Sequence, residues 1–321
     1  MRGSDLRRGS EANMKLTFEQ IKSLTVGAVM SKQTERGIYF CKMQQSQVDA
    51  FYELSDILGY RALTTTGIRL DFETDSKFLA FDVISGARFE YLIDGVYQGT
   101  VEVGEDNRAK IELSAPCRVT VCFPSHDIGA IDNVELSDGA SFARHKFDKK
   151  VLFIGDSITQ GWNSGIDTLS YAWRTSFALN LDSIIQGVGG AYFHESTFAD
   201  SGFDPDVVIV AYGTNDVNHF GTKEEMLLQL RAYLGKVKET YKRSKIYAIS
   251  PIWVSGGSDE KRMGDLWECY LLIASEIEKC GVEHIRGLSL VPHDREFFAD
   301  DLHPNKDGFA AYAENLMKFI G

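Results

Sequence analysis

The hydrophobic pattern changes period once along the chain. Residues 67 to 137 carry short segments that alternate apolar and polar positions or are rich in β-branched and aromatic residues. They are GIRLDFET (67–74), KFLAFDVI (77–84), RFEYLIDG (88–95), VYQGTVEV (96–103), AKIELS (109–114) and RVTVCFP (118–124), punctuated by Ser85-Gly86, Asp94-Gly95 and Gly104. Strands at this spacing predict a β-sandwich or jelly roll. Before them, SQVDAFYELSDILGY (46–60) has the period of a helix and is expected to end near Gly59.

From Val151 the chain alternates apolar runs with segments of helical period. The runs are VLFIG (151–155), DSIIQG (182–187), DVVIVAYG (206–213), KIYAISP (245–251) and VEHIRG (282–287). In the helical segments Met226, Leu230, Tyr233 and Val237 share a face opened by a Thr222-x-x-Glu225 capping box. Met263, Leu266, Trp267, Tyr270, Ala274 and Ile277 form a second stripe, and Phe309, Tyr312, Leu316 and Phe319 a third. Alternating apolar strands and helices predict a parallel sheet covered on both faces. The boundary falls in the charged stretch RHKFDKK, giving a domain over 14–147 and another over 148–321, behind an Arg/Gly/Ser-rich leader over 1–13.

In a parallel sheet the C-terminal strand ends share one edge, and ligands bind there. That edge would gather Gly155-Asp156-Ser157, the glycines of QGVGG (186–190), GTND (213–216) and, after the last strand, DDLHP (300–304). These are parts for acyl transfer. A serine hydroxyl is a weak nucleophile until an adjacent base takes its proton, and imidazole titrates near neutrality, so His303 is matched to Ser157. Asp300, three residues earlier, can accept the other ring N–H and fix the tautomer. Candidate donors to the oxyanion are the Ser157 and Gly187 N–H groups and the Asn215 amide; removing one such donor typically costs ~3 kcal/mol.

This ordered set, Gly155-Asp156-Ser157, Gly187, Gly213-x-Asn215-Asp216 and Asp300-x-x-His303, resembles the SGNH (GDSL-type) hydrolases. The resemblance covers 148–321 and implies a flavodoxin-like three-layer α/β/α domain. It also implies Ser157 as nucleophile, Asp300 and His303 completing a triad, and Ser157, Gly187 and Asn215 as the oxyanion hole. Two departures are visible: Ile158 stands where many members have leucine, and Ile185 where an asparagine is often found. A β-sandwich before such a domain is similar to the layout of some bacterial carbohydrate esterases.

Simpler readings compete at each position. Ser157 and His303 could cap helices, Asn215 could be a turn residue, and Asp301 is the rival carboxylate. Asp156 and Asp216 are expected to fix loops. Trp162, Tyr192, Phe193 and Trp253 are candidates for lining an acyl or sugar pocket, with core packing as the alternative. The glycines of GVGG do not complete a dinucleotide fingerprint, because Tyr192 holds the last position. The histidines at 194, 219, 284 and 293 lack metal-ligand spacing, so no metal or cofactor is expected.

Composition narrows the partners. A net charge of −12, with no basic run, argues against nucleic acid. No apolar run approaches the ~20 residues that span a bilayer, and five cysteines without a CxxC pair point away from a disulfide framework and toward the cytoplasm. The expected activity is a serine esterase acting on short acyl esters, O-acetyl groups on a carbohydrate foremost. The alternatives are a lipid-directed esterase or thioesterase, and a carbohydrate-binding protein without turnover. The expected partner is a small-molecule or glycan ester; the oligomeric state is open.

Overall fold

The computed structural model describes residues 13–254, 260–261 and 264–321. The leader expected over 1–13 therefore lies outside the described residues except for Asn13. That residue opens β1 (Asn13–Lys15), which pairs antiparallel with a strand more than a hundred residues later.

Two antiparallel sheets follow. The first runs β3 (Met30–Thr34), β4 (Gly37–Cys41), β11 (Ala130–Ser137), β6 (Phe78–Ser85), β9 (Arg108–Glu112), with β1 also on β11. The second runs β12 (Phe142–Arg144), β5 (Arg69–Thr74), β10 (Cys117–Cys122), β7 (Glu90–Ile93), β8 (Val96–Thr100), with β2 (Thr25–Val26) on β5. Their inward residues meet in one apolar cluster, Phe40, Leu79, Phe81 and Ile131 from one sheet with Leu70, Phe72, Val119 and Val121 from the other. Each segment expected to be a strand between 67 and 124 supplies one. The β7–β8 turn is Asp94-Gly95, both with positive φ, as a two-residue hairpin of matching twist requires.

The helix expected over 46–60 is two helices. α2 (Gln45–Leu54) ends at Ser55, whose extended backbone and side chain cap α3 (Asp56–Leu63) by accepting the Ile57 N–H. Gly59 does not end the element; it lets α3 cross the ring of Tyr52 in close contact. α1 (Phe18–Leu24), opened by a Thr17/Gln20 capping box, precedes them.

All five apolar runs of the second half are parallel strands in the order β14 (Leu181–Gly187), β13 (Lys149–Gly155), β15 (Val207–Ala211), β16 (Lys245–Ile249), β19 (Glu283–Ile285). Strand residues alternate between two apolar clusters. Leu152, Ile154, Val208 and Val210 pack with α6 (Lys223–Thr240) and α7 (Leu266–Lys279), as well as with Val48, Phe51 and Leu58 from α2 and α3. Val151, Phe153, Val207 and Ile209 pack with α5 (Tyr171–Ala178) and α8 (Lys306–Ile320). Met263 of the second expected stripe lies outside the described residues; the remainder opens at Asp265, the N-cap of α7, beside a two-residue hairpin of β17 (Glu260–Lys261) and β18 (Gly264–Asp265). Fully buried Arg69 ties the two halves, donating to the Leu181 carbonyl and the Ser183 hydroxyl. None of the five cysteines forms a disulfide, and no helix among the described residues is long and apolar enough to cross a membrane.

Candidate active site

β13 runs straight into α4 (Ser157–Gln160), a single turn. Asp156 is its N-cap, its carboxylate accepting the Ile158 N–H at 2.9 Å. The cap is thus filled by the aspartate and the Ser157 hydroxyl is left free. It lies 2.9 Å from His303 Nε2. At the other end of that imidazole, Nδ1 is 2.9 Å from Asp300 Oδ2.

The loop before α8 sets this geometry. Asp300 Oδ1 accepts the N–H groups of Leu302 (2.8 Å) and His303 (2.6 Å), closing a tight turn, and Ala299 donates back to the His303 carbonyl. Helix capping falls to Asn305, which accepts from Asp307 and Gly308, so His303 has no capping duty. Partial burial disfavours the Asp300 charge, but the His303 N–H, its ring and the Leu302 N–H outweigh that and lower the carboxyl below its ordinary range. Asp301 points elsewhere, exposed and ion-paired with Arg295. Asn163, unremarked in the sequence, donates to Asp300 Oδ2 at 2.7 Å from the loop after α4.

Beneath the strand ends sit two fully buried carboxyls. Burial pushes both Asp156 and Asp216 up to about 7, against N–H bonds that act the other way. Asp216 holds the Phe193 N–H at 3.1 Å, the loop-fixing part expected of it. The Ser157 N–H, at the start of α4, makes no hydrogen bond among the described residues. Asn215 donates one amide hydrogen to the Ala191 carbonyl at 2.9 Å, and an amide nitrogen has a second to offer.

Gly187, expected as a donor to the oxyanion, lies at the end of edge strand β14. It pairs with Gly155 in the ladder, and Val188 donates to the Gly155 carbonyl, so the Gly187 N–H faces out of the sheet at its edge strand. Its glycine identity serves contact with α4, since a Cβ there would lie 2.5 Å from the Gln160 backbone nitrogen. The Gly190 N–H, beside the Ala191 carbonyl that Asn215 grips, also has no hydrogen-bond partner among the described residues. Gly190 has φ +86, which its lack of a Cβ permits.

The aromatic candidates divide. Trp162 is half-buried with its ring 6.3 Å from that of His303. Tyr192 is half-buried and stacks on His219 at 3.9 Å. Trp253 stacks on His293 and meets Phe298, whose partner in an isolated bridge is Pro304. Phe193 is fully buried against Tyr212 and Tyr233 and belongs to the core. A cavity of about 830 Å³ lies elsewhere, on the antiparallel sheets, and includes none of these residues. No cluster of three or more His, Cys, Asp or Glu residues among the described residues is arranged to hold a metal ion.

A search against curated proteins returns no match. Among solved structures the chain is similar to the salicylyl-acyltransferase SsfX3 from a tetracycline biosynthetic pathway, at 17% identity over 96% of each chain and a TM-score of 0.80. It is also similar to a family two carbohydrate esterase from Cellvibrio japonicus (14% identity, 96% of this chain and 97% of that chain, TM-score 0.69). A third is the acetyl xylan esterase Est2A from the rumen bacterium Butyrivibrio proteoclasticus (15%, 96% and 97%, 0.65). At these identities the likeness is one of fold. The sequence itself matches the GDSL-like lipase/acylhydrolase family over residues 153–311, the span from β13 into α8 that carries Ser157, Asn215, Asp300 and His303.

Proposed function

We propose that this protein is a serine esterase that removes short acyl groups, O-acetyl foremost, from a carbohydrate. The observation that carries the reading is the unbroken relay Ser157 Oγ, His303, Asp300, with both links at 2.9 Å. In the reaction His303 Nε2 takes the hydroxyl proton as Ser157 Oγ bonds to the ester carbonyl carbon. The Ser157 and Gly190 N–H groups and the free Asn215 amide hydrogen receive the oxyanion. The imidazolium, oriented by Asp300, then protonates the departing alkoxide, and a water activated by the same nitrogen cleaves the acyl-enzyme. We take the chain as two domains, 14–147 and 148–321, a jelly-roll-like sandwich and a flavodoxin-like three-layer α/β/α hydrolase. Cysteines outside any disulfide fit an intracellular setting.

The preference for small acyl groups rests on bulk near the serine. Trp162 stands beside His303, and Tyr192 follows the Gly190 loop, so little apolar depth is left for a chain worth roughly 0.8 kcal/mol per buried methylene. The test is hydrolysis of nitrophenyl acetate against the octanoate. We expect kcat/KM for the acetate to be greater by at least about tenfold, ~1.4 kcal/mol, together with acetate release from acetylated oligosaccharides. A preference for octanoate with no release from acetylated glycans would give the site to the lipid or thioester reading.

A further inference from the structure

The loop that bears the free Gly190 N–H is gripped on both sides by groups that trace to the N-terminal half. Arg61, on α3, donates from Nη1 to the Gly189 carbonyl at 2.8 Å, across 128 residues of sequence. Gln160 Oε1 accepts the Gly189 N–H at 2.7 Å. Gln160 is itself fixed from the N-terminal half, its amide donating to the Ser125 carbonyl at 2.9 Å and the Thr64 hydroxyl at 3.3 Å. Around Gly190 the neighbours a Cβ would meet are the Arg61 guanidinium at 3.3 Å and the Leu58 side chain at 3.5 Å, both on α3.

The Gly189 carbonyl and the Gly190 N–H belong to one peptide unit. That unit is trans, since among the described residues only Ala115-Pro116 is cis. Its C=O and N–H bonds therefore point in opposite directions, and their dipoles add. A cation held on the carbonyl turns the N–H away from α3 and polarises the peptide so that the N–H becomes a stronger donor. Arg61 has no carboxylate partner among the described ion pairs; its guanidinium lies over the Trp162 ring at 5.3 Å. Its charge is thus committed to this carbonyl and to an aromatic face beside His303.

We propose that Arg61 is a positioning residue that orients and polarises the Gly190 N–H for the oxyanion, and that the N-terminal half is in this way part of the catalytic apparatus. The proposal rests on the esterase reading, so the experiment has one readout that needs no turnover. Arg61→Met keeps the apolar stem over Trp162 and removes the charge; Arg61→Lys keeps a point charge. On nitrophenyl acetate, Arg61→Met should lose about 30-fold or more in kcat with KM changed less than about threefold, because the oxyanion exists only beyond the ground state. Arg61→Lys should lose only a few-fold, and added methylguanidinium should restore Arg61→Met at least in part. In parallel, the Gly190 amide proton, followed by NMR in both variants, should move upfield in Arg61→Met and much less in Arg61→Lys. A kcat within about threefold of wild type, a loss carried wholly by KM, or an unmoved Gly190 amide would overturn the proposal. If the wild-type chain hydrolyses no ester, the esterase reading fails and the amide shift alone decides the role of Arg61. If Arg61→Met does not fold, the lysine variant decides: a loss as deep as 30-fold there would also overturn it.

Discussion

The two sides of the candidate site are built differently. On one side, Asp300 and His303 are three residues apart in a turn that their own hydrogen bonds close, and Ser157 meets them because two strand-end loops share a sheet edge. On the other side, the Gly189–Gly190 peptide is fixed by Arg61 and by a glutamine that is anchored to Thr64 and Ser125, contacts that cross from one half of the molecule to the other. The relay is a local device set on one edge of the parallel sheet. The donor loop is a tertiary device, and its quality depends on how the antiparallel sheets and α3 are docked. The proposed activation of the nucleophile and the proposed binding of the oxyanion therefore rest on different contacts.

The sharpest way to break the first side is Ser157→Ala. The hydroxyl contributes nothing to helix capping, which Asp156 performs, and little to the core, so the fold should survive. Turnover of nitrophenyl acetate should fall about a thousandfold or more with the melting temperature unchanged, and a phosphonate probe should label wild type at Ser157 alone. Near-normal turnover, or labelling of another serine, would sink the relay.

A smaller effect sharpens it. Asp300→Asn keeps an acceptor for the Leu302 and His303 N–H groups but loses the charge facing the imidazolium. We expect about a tenfold or greater loss of kcat, less than for His303→Ala. Asp301→Asn breaks an exposed ion pair with Arg295 and should change kcat less than about twofold. A greater loss at Asp301 would mean that the turn seats the wrong neighbour.

How much of this was legible follows the same division. The inner strands β13 and β15 stood out because both of their faces are buried, which writes them as unbroken apolar runs. β11, central to its sheet, was missed because Asp132 and Asn133 interrupt it at a register shift, with Asn133 at φ +45. The break between α2 and α3 was hidden because the apolar period continues through Ser55 and only its backbone departs. At the site, Ser157, Asn215, Asp300 and His303 were readable from spacing. The Gly190 N–H was not singled out, because which backbone donors of the loop lack a partner depends on hydrogen bonds that spacing does not record. Asn163 and Arg61 act through contacts with no sequence spacing, and nothing local marks them.

The smallest expected effect concerns the floor that both sides share. Asp216 accepts the Phe193 N–H with one oxygen, while its other oxygen is buried with no partner among the described residues. Burial, and then the nearby Asp156 charge, raise its carboxyl to about 7, with the Phe193 bond opposing. An unfolded aspartate loses its proton near 3.9. Between these values the folded chain keeps a proton that the unfolded chain has released, so stability falls as pH rises through the window and levels off above about 7. Asp216→Asn is neutral throughout and retains an acceptor for the Phe193 N–H. Wild type should therefore lose melting temperature between pH 5 and pH 7.5 by a few degrees more than the variant does. The two halves of the site would feel this together, since Asp216 sits between the Phe193 loop and Asn215. Parallel melting profiles for the two proteins across that range would show that the Asp216 carboxyl ionises as freely in the fold as out of it. The burial argument for the shared floor would then be lost.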